Sequence, residues 1–115
     1  MKKPSFSQNR YTLAEKKISQ IEEEMKRTGY WSSEPLPEEA YDFLRAFAMD
    51  TMAFSQWLQF ILIPNVRSII EQKGDFPSES MVGVQAAREF DGDANASHLV
   101  SLLSEFDALF RKGIK

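Results

Sequence analysis

Cysteine is absent from the 115 residues, and its absence excludes several kinds of chemistry at once. The chain can form no disulfide, no thiolate metal site and no cysteine nucleophile. Long apolar runs are also missing: the longest covers only residues 60–64, far below the roughly 18 residues of a membrane span. The first ten residues lack the apolar core of a signal peptide. We therefore expect a cytoplasmic protein that does not enter a membrane.

Histidine and clustered glycine are nearly as scarce, which limits the catalytic and phosphate-binding sites available. His98 is the single histidine, and the five glycines are scattered one by one along the chain. The spacing of Asp91, Asp93 and Asn95 resembles the start of a calcium loop, but the glycine and glutamate required at its sixth and twelfth positions are missing. A turn followed by a helix cap explains these residues better. The sequence thus indicates no catalytic residue, no metal site and no cofactor.

Charges of both signs are present but unevenly distributed. Residues 1–30 carry seven basic and four acidic residues, whereas the remainder carries seven basic and thirteen acidic residues. Nucleic-acid-binding proteins usually concentrate positive charge on one face, and an acidic body repels phosphates. We therefore expect no direct DNA binding, and RNA binding through the basic first helix is a minor alternative.

Apolar residues recur with a helical period along most of the chain, and no segment alternates as a strand does. The spacing predicts helices over residues 11–28, 37–46, 54–73, 81–90 and 96–111. Gly29 and Gly74 follow the first and third of these stretches, as expected of helix stops. The prediction is an all-α fold, a single compact bundle of about four helices plus one or two short helices. It forms one domain over residues 1–115, with residues 1–9 flexible.

The stretch 54–73 is the strongest helix of the chain. Apolar residues cover nearly its whole circumference up to Ile63, so neighbours must bury it on several sides. Pro64 has no N–H to donate to the carbonyl of Phe60 and its ring crowds that turn, which predicts a kink near residues 60–64. Gln59 is the polar exception: it either reaches solvent through a gap or is a buried amide with backbone partners.

Asp50 and Thr51 precede this core helix and are of the residue types that cap helices. Asp50 sits between Met49 and Met52, in an apolar neighbourhood where an unpaired carboxylate would be costly. Capping of the core helix is the interpretation we favour for it. Trp57 supplies a large apolar area and one N–H donor, which suits a core position better than a binding hot spot.

Several motifs resemble those of the YqcC-like family of small bacterial proteins. One is Phe-Ala-Met-Asp-Thr-Met over residues 47–52, and a second is Trp-Leu-Gln-Phe-Ile-Leu-Ile-Pro over residues 57–64. Trp31 with its neighbouring prolines and the Phe-Asp-Ala-Leu-Phe ending over residues 106–110 are similar as well, so the likeness spans most of the chain. Asn65 departs from the family pattern, which commonly has a basic residue there.

The resemblance implies a helical bundle and no particular activity, because that family is of unknown function. Its members are often described as associated with a tRNA pseudouridine synthase, which implies a protein partner rather than a chemistry. The leading hypothesis is therefore a non-enzymatic accessory protein with a protein partner. The candidate partner-binding residues are Asp50, Thr51, Trp57, Gln59 and Asn65. A small-molecule binder or minor enzyme with a pocket beside the Pro64 kink is the alternative. Whether the protein is a monomer or a homo-oligomer stays open.

Overall fold

A computed structural model describes the backbone of residues 6–110 and the side chains of residues 10–110. Within that range the chain forms helices and turns and no strand. The helices are α1 (Phe6–Thr28), α2 (Phe54–Trp57), α3 (Ile63–Gln72), α4 (Val82–Glu89) and α5 (Ser97–Ala108). A π-helical turn, Leu58–Leu62, joins α2 and α3 into one helical run, so four longer helices result and the all-α prediction is confirmed. None of the helices within residues 6–110 has the length and apolar character needed to cross a membrane.

The first helix begins at Phe6, five residues before the start that the periodicity predicts. Its inward side is a stripe of fully buried apolar residues three and four positions apart, namely Ala14, Ile18, Ile21 and Met25. Gly29 ends the helix in a left-handed conformation with φ of 86°, and the N–H of Tyr30 bonds the carbonyl of Met25. The predicted stop at Gly29 is thus confirmed. Residues 1–5 lie outside the described residues, and the flexibility expected for residues 1–9 stays a prediction.

The core helix is irregular where Pro64 was expected to disturb it. The N–H of Ile63 donates to the carbonyl of Leu58, five residues back, so the helix widens just before the proline. Because Pro64 has no N–H and its ring crowds the preceding turn, a wider π-helical turn accommodates it within one continuous helix. Leu58 within this turn is fully buried. An irregular turn thus lies where the kink was predicted, and its form is a π-helical turn.

The end of the core helix corrects one prediction. Lys73, not Gly74, adopts the left-handed conformation, with φ of 53°. The N–H of Gly74 then reaches the carbonyl of Ile69 at 2.9 Å, which closes the last turn. This hydrogen bond requires the residue before Gly74 to be left-handed, and that residue is Lys73.

Helix α4 is held on α5 by a close approach and by a buried carboxylate. A side chain on Gly83 would place its Cβ 2.7 Å from the Cα of Ser104, so the glycine lets the two helices touch. Asp107 accepts hydrogen bonds from the Ser80 hydroxyl at 2.5 Å, the Val82 N–H at 3.0 Å and the Gly83 N–H at 2.7 Å. Burial raises the pKa of Asp107, whereas these three donors act in the opposite direction. The first N–H groups of α4 are thus capped from another helix.

The short helix predicted over residues 37–46 is wrong in detail. Two 3-10 turns, Glu38–Tyr41 and Ala46–Ala48, occupy that region and are separated by irregular chain. The interpretation of residues 91–95 as a turn followed by a helix cap is confirmed. The side chain of Asp93 accepts the N–H of Asn95 at 3.0 Å just before α5.

Candidate functional site

The stretch from Glu38 to Ala53, called here the 38–53 segment, links the first 3-10 turn to the core helix. The carboxylate of Asp50 accepts the N–H of Leu44 at 3.0 Å and that of Arg45 at 3.3 Å. Donation by the Leu44 N–H is the main cause that lowers the pKa of Asp50, so the carboxylate stays ionised. Asp50 therefore holds the chain five and six residues upstream of itself.

The expectation that Asp50 caps the core helix is wrong. Ala53 occupies the N-cap position, and its N–H donates to the side-chain oxygen of Gln56 at 2.8 Å. The carboxylate of Asp50 is used by two backbone N–H groups of the preceding turn instead. Those groups have no helical partner, because the chain leaves helical geometry between the two 3-10 turns.

Thr51 fastens the other side of the same segment. Its hydroxyl donates to the carbonyl of Ala40 at 2.7 Å, across eleven residues. Beneath this bond lies a small apolar cluster made of Ala40, Ala48 and Met52, with Leu36, Phe43, Trp57 and Ile61 packed against it. The 38–53 segment is therefore a folded unit with its own small core, tied at Asp50 and at Thr51.

The backbone of the segment is strained at its centre. Phe47 and Ala48 have φ of 57° and 52°, a left-handed conformation that residues with a side chain rarely adopt. Such residues persist only where their surroundings hold them. Here Ala48 is fully buried and the ring of Phe47 lies 5.0 Å from that of Trp57 and 6.0 Å from that of Phe54.

Trp57 has the structural role that the sequence favours. It is partly buried and packs against both the main core and the small cluster of the 38–53 segment. Its ring stacks on Phe54 at 5.8 Å and meets Phe47 edge to face. Trp57 thus joins the segment to the core helix.

The segment exposes apolar side chains on its outer side. Leu44 is 94% exposed, and Tyr41 and Met49 are about half exposed. Leu44 falls within the helix predicted over residues 37–46, and because two 3-10 turns form there instead, its side chain stays exposed. The apolar spacing over residues 37–46 predicts a helix and so gives no sign of this exposure.

Gln59 is a buried amide with backbone partners, the second of the two alternatives left open by the sequence. Its side-chain oxygen accepts the N–H of Ser32 and its NH₂ donates to the carbonyl of Ser32, both at 2.8 Å. These two bonds attach the linker after α1 to the core helix, 27 residues further along. The oxygen and the nitrogen of the Gln59 side chain therefore both have a hydrogen-bond partner inside the fold.

Asn65 lies apart from the other candidates, exposed in the first turn of α3. The structure places Asp50 and Thr51 in the 38–53 segment, packs Trp57 against its small cluster, and bonds Gln59 to Ser32 of the neighbouring linker. Their role in partner binding stays a prediction.

One cavity of the described part of the chain lies away from Pro64. It has a volume of about 450 Å³, opens broadly to solvent and lies where α4 ends, with Phe90, Asp91 and Asp93 in its wall. The alternative of a pocket beside the Pro64 kink therefore gains no support from this cavity.

Positive charges of α1 are largely paired. Lys17 binds Glu105 of α5, Lys26 binds Glu22, and Arg27 binds Glu24, with N–O distances of 2.6, 2.7 and 2.6 Å. Cations engaged by carboxylates have less to offer a phosphate backbone. RNA binding through this helix stays an untested alternative.

Comparison with known proteins gives the chain a family. Residues 13–109 match the model of the family DUF446, described as tRNA pseudouridine synthase C. An uncharacterized protein of Haemophilus influenzae is 26% identical over 77 residues, covering 64% of this chain and 73% of that protein. A protein of Pectobacterium carotovorum named tRNA pseudouridine synthase C is 28% identical over 57 residues, covering 50% of this chain but only 15% of that protein.

A solved structure matches the fold. The solution NMR structure of protein YqcC from E. coli has a TM-score of 0.80 to this chain at 20% identity, with 92% of each chain covered. Likeness at this identity shows the helical fold alone. The family model, by contrast, spans most of the sequence, and the chain therefore belongs to the YqcC-like DUF446 family.

Proposed function

We propose that this protein is a non-enzymatic accessory protein that binds a partner protein through the 38–53 segment, with Leu44 as the anchoring side chain. The observation that carries this proposal is the rigid presentation of Leu44. A side chain that is 94% exposed contributes nothing to the core, yet its own N–H is held by Asp50. Single exposed leucines are common on protein surfaces, so the argument depends on the construction around this one.

The strained backbone of the 38–53 segment supports a role in binding a partner rather than a role as a simple linker. Two left-handed residues, Phe47 and Ala48, cost about 1–3 kcal/mol each. A plain connector would not require such strain, and strained backbone tends to cluster where a surface must be pre-formed. A pre-formed loop loses little conformational entropy on binding, which favours affinity.

The partner we propose is a tRNA pseudouridine synthase of the same cell. Support comes from names: the family description and one relative carry the words tRNA pseudouridine synthase C. The matched stretch is only 15% of that relative, so the activity in its name belongs to a much longer protein. A role beside such an enzyme in the cytoplasm, rather than the enzyme's reaction, is what we infer for this chain.

Isothermal titration calorimetry with the purified chain and the purified synthase tests the proposal. Full burial of a leucine side chain is worth about 1.5–3 kcal/mol, so Leu44→Ser should weaken binding about ten- to hundred-fold. Leu13→Ser is the matched control, since Leu13 is half exposed on α1. Asp50→Ala, which frees the Leu44 N–H, should weaken binding with Leu44 still present.

Each result has a distinct meaning. If the wild-type chain gives no heat of binding up to about 100 µM, the proposal that the synthase is its partner is overturned. If wild type and Leu44→Ser bind the synthase with equal affinity, the proposal that Leu44 anchors the binding site is overturned. Thermal melts of every variant, followed by circular dichroism, establish that each is folded at the temperature of the titration.

A further inference from the structure

The outer side of the 38–53 segment continues onto helix α4. The sulfur of Met49 lies 3.9 Å from the side-chain nitrogen of Gln85, and the same nitrogen donates to Glu89 at 2.8 Å. The segment therefore touches α4 at Gln85 through the side chain of Met49. The surface formed by residues 38–53 and 82–93 is called here the joint face.

Exposed apolar residues occur on both halves of the joint face or at its edge. Leu44 and Met49 belong to the segment, whereas Val84 lies on α4 next to Gln85 and is about half exposed. Met81, three residues before Val84, is also about half exposed and shares its side of the helix. Both stretches of the joint face therefore carry exposed apolar side chains.

The charge of the joint face is strongly negative. Residues 38–53 contain four acidic and one basic residue, and residues 82–93 contain three acidic and one basic residue. The rest of residues 10–110 contains seven basic and ten acidic residues. The excess of acidic over basic residues is therefore larger in these two stretches than in the rest of residues 10–110.

We infer that the joint face binds a surface of its partner that is rich in lysine and arginine and has an apolar pocket for Leu44. The inference rests on the proposed function and adds the chemistry of the partner's surface. Charge complementarity favours this occupant, because a basic surface is attracted to the acidic rim while the leucine enters a pocket. A second copy of this chain would present the same acidic face and be repelled.

A defined peptide tests the inference without any assumption about the natural partner. The probe is a helical peptide with one leucine face and one arginine face, titrated into the ¹⁵N-labelled full chain. Shifts of amide signals should concentrate at Leu44, Met49, Val84 and Gln85. Affinity should fall several-fold between about 50 and 200 mM NaCl, because exposed charges are screened by salt. A matched peptide with glutamate in place of arginine should not bind.

Charge variants locate the electrostatic contribution. The triple variant Glu38→Gln, Glu39→Gln and Asp42→Asn removes three exposed charges of the joint face and should weaken peptide binding about tenfold. The control triple variant Glu23→Gln, Glu71→Gln and Glu79→Gln removes three exposed charges outside that face and should change affinity less than about twofold.

Some results would overturn the inference. These are shifts centred on α1, an affinity unaffected by salt, equal effects of the two triple variants, or self-association of the chain through Leu44 in sedimentation. If the synthase binds through Leu44 but its affinity is the same for wild type and for the charge variants, the inference fails and the proposed function stands. If the peptide binds as expected but the synthase does not, the proposed partner fails and the inference stands.

Discussion

The contact of α4 with α5 makes Gly83→Ala the sharpest test of the fold. Gly83 is the second residue of α4, and an alanine Cβ there would lie 2.7 Å from the Cα and 2.8 Å from the backbone nitrogen of Ser104. Backbone atoms cannot rotate out of the way, so the helices must separate. Separation would also pull the Val82 and Gly83 N–H groups away from the Asp107 carboxylate, where they are now bonded at 3.0 and 2.7 Å.

The expected magnitude follows from three opposing contributions. Alanine is favoured over glycine in a helix by about 1 kcal/mol. Overpacking costs about 1–3 kcal/mol, and loss of a hydrogen bond to a charged group costs about 1.5–3 kcal/mol. Destabilisation wins, and we expect Gly83→Ala to lower the free energy of unfolding by about 2 kcal/mol. For a domain of this size that lowers Tm by about 10 °C.

Urea unfolding and thermal melts, both followed by circular dichroism, measure the change. Val84→Ala is the control on the neighbouring exposed position and should alter stability by less than about 0.5 kcal/mol. Ser104→Gly in the Gly83→Ala background should restore little, because it removes the hydroxyl but leaves the Cα and nitrogen in place. A Gly83→Ala protein as stable as wild type would refute the close packing of α4 on α5.

Two further changes test separate features of the fold. Lys73→Gly should stabilise the protein by about 1 kcal/mol in urea unfolding, because glycine adopts the left-handed conformation of this helix end without strain; Lys73→Ala, which keeps the strain, should bring no gain. The carboxylate of Glu22 lies 2.7 Å from both Lys26 and Arg67, and the hydrogen bond from Lys26 is the main cause that lowers its pKa. A lowered pKa in the folded state stabilises the fold above the ordinary pKa and is lost as pH falls through the lowered value. Glu22→Gln should therefore cost about 1 kcal/mol at neutral pH and almost nothing near pH 2, and a cost that is the same at both pH values would contradict the ion pairs.

The sequence predicted the helices well because their signals are local. Ile18, Ile21 and Met25 recur at helical spacing, and each is fully buried as that spacing requires. Pro64 likewise marked a disturbed turn from its missing N–H alone. Signals of this kind involve residues within one or two turns of each other and are readable from the chain itself.

The candidate site was readable only in part. The sequence selected Asp50 and Thr51 as candidate partner-binding residues and favoured a helix cap for Asp50, whereas the structure uses both to hold the 38–53 segment together. It did not select Leu44, because burial of an apolar residue depends on which helix forms around it. The 3-10 turns and the left-handed Phe47 and Ala48 that expose Leu44 have no pattern in the sequence.

What the sequence determined by itself is the helical class, the buried stripes and the absence of cysteine chemistry, since all three depend on composition and on spacing within a few residues. Tertiary structure alone decided the partners of the polar residues. Gln59 binds Ser32 across 27 residues and Asp107 binds Gly83 across 24, and no local rule pairs positions so far apart. Tertiary contacts also gave Gly83, which weakens the sequence signal for a helix, its role as the point where two helices touch.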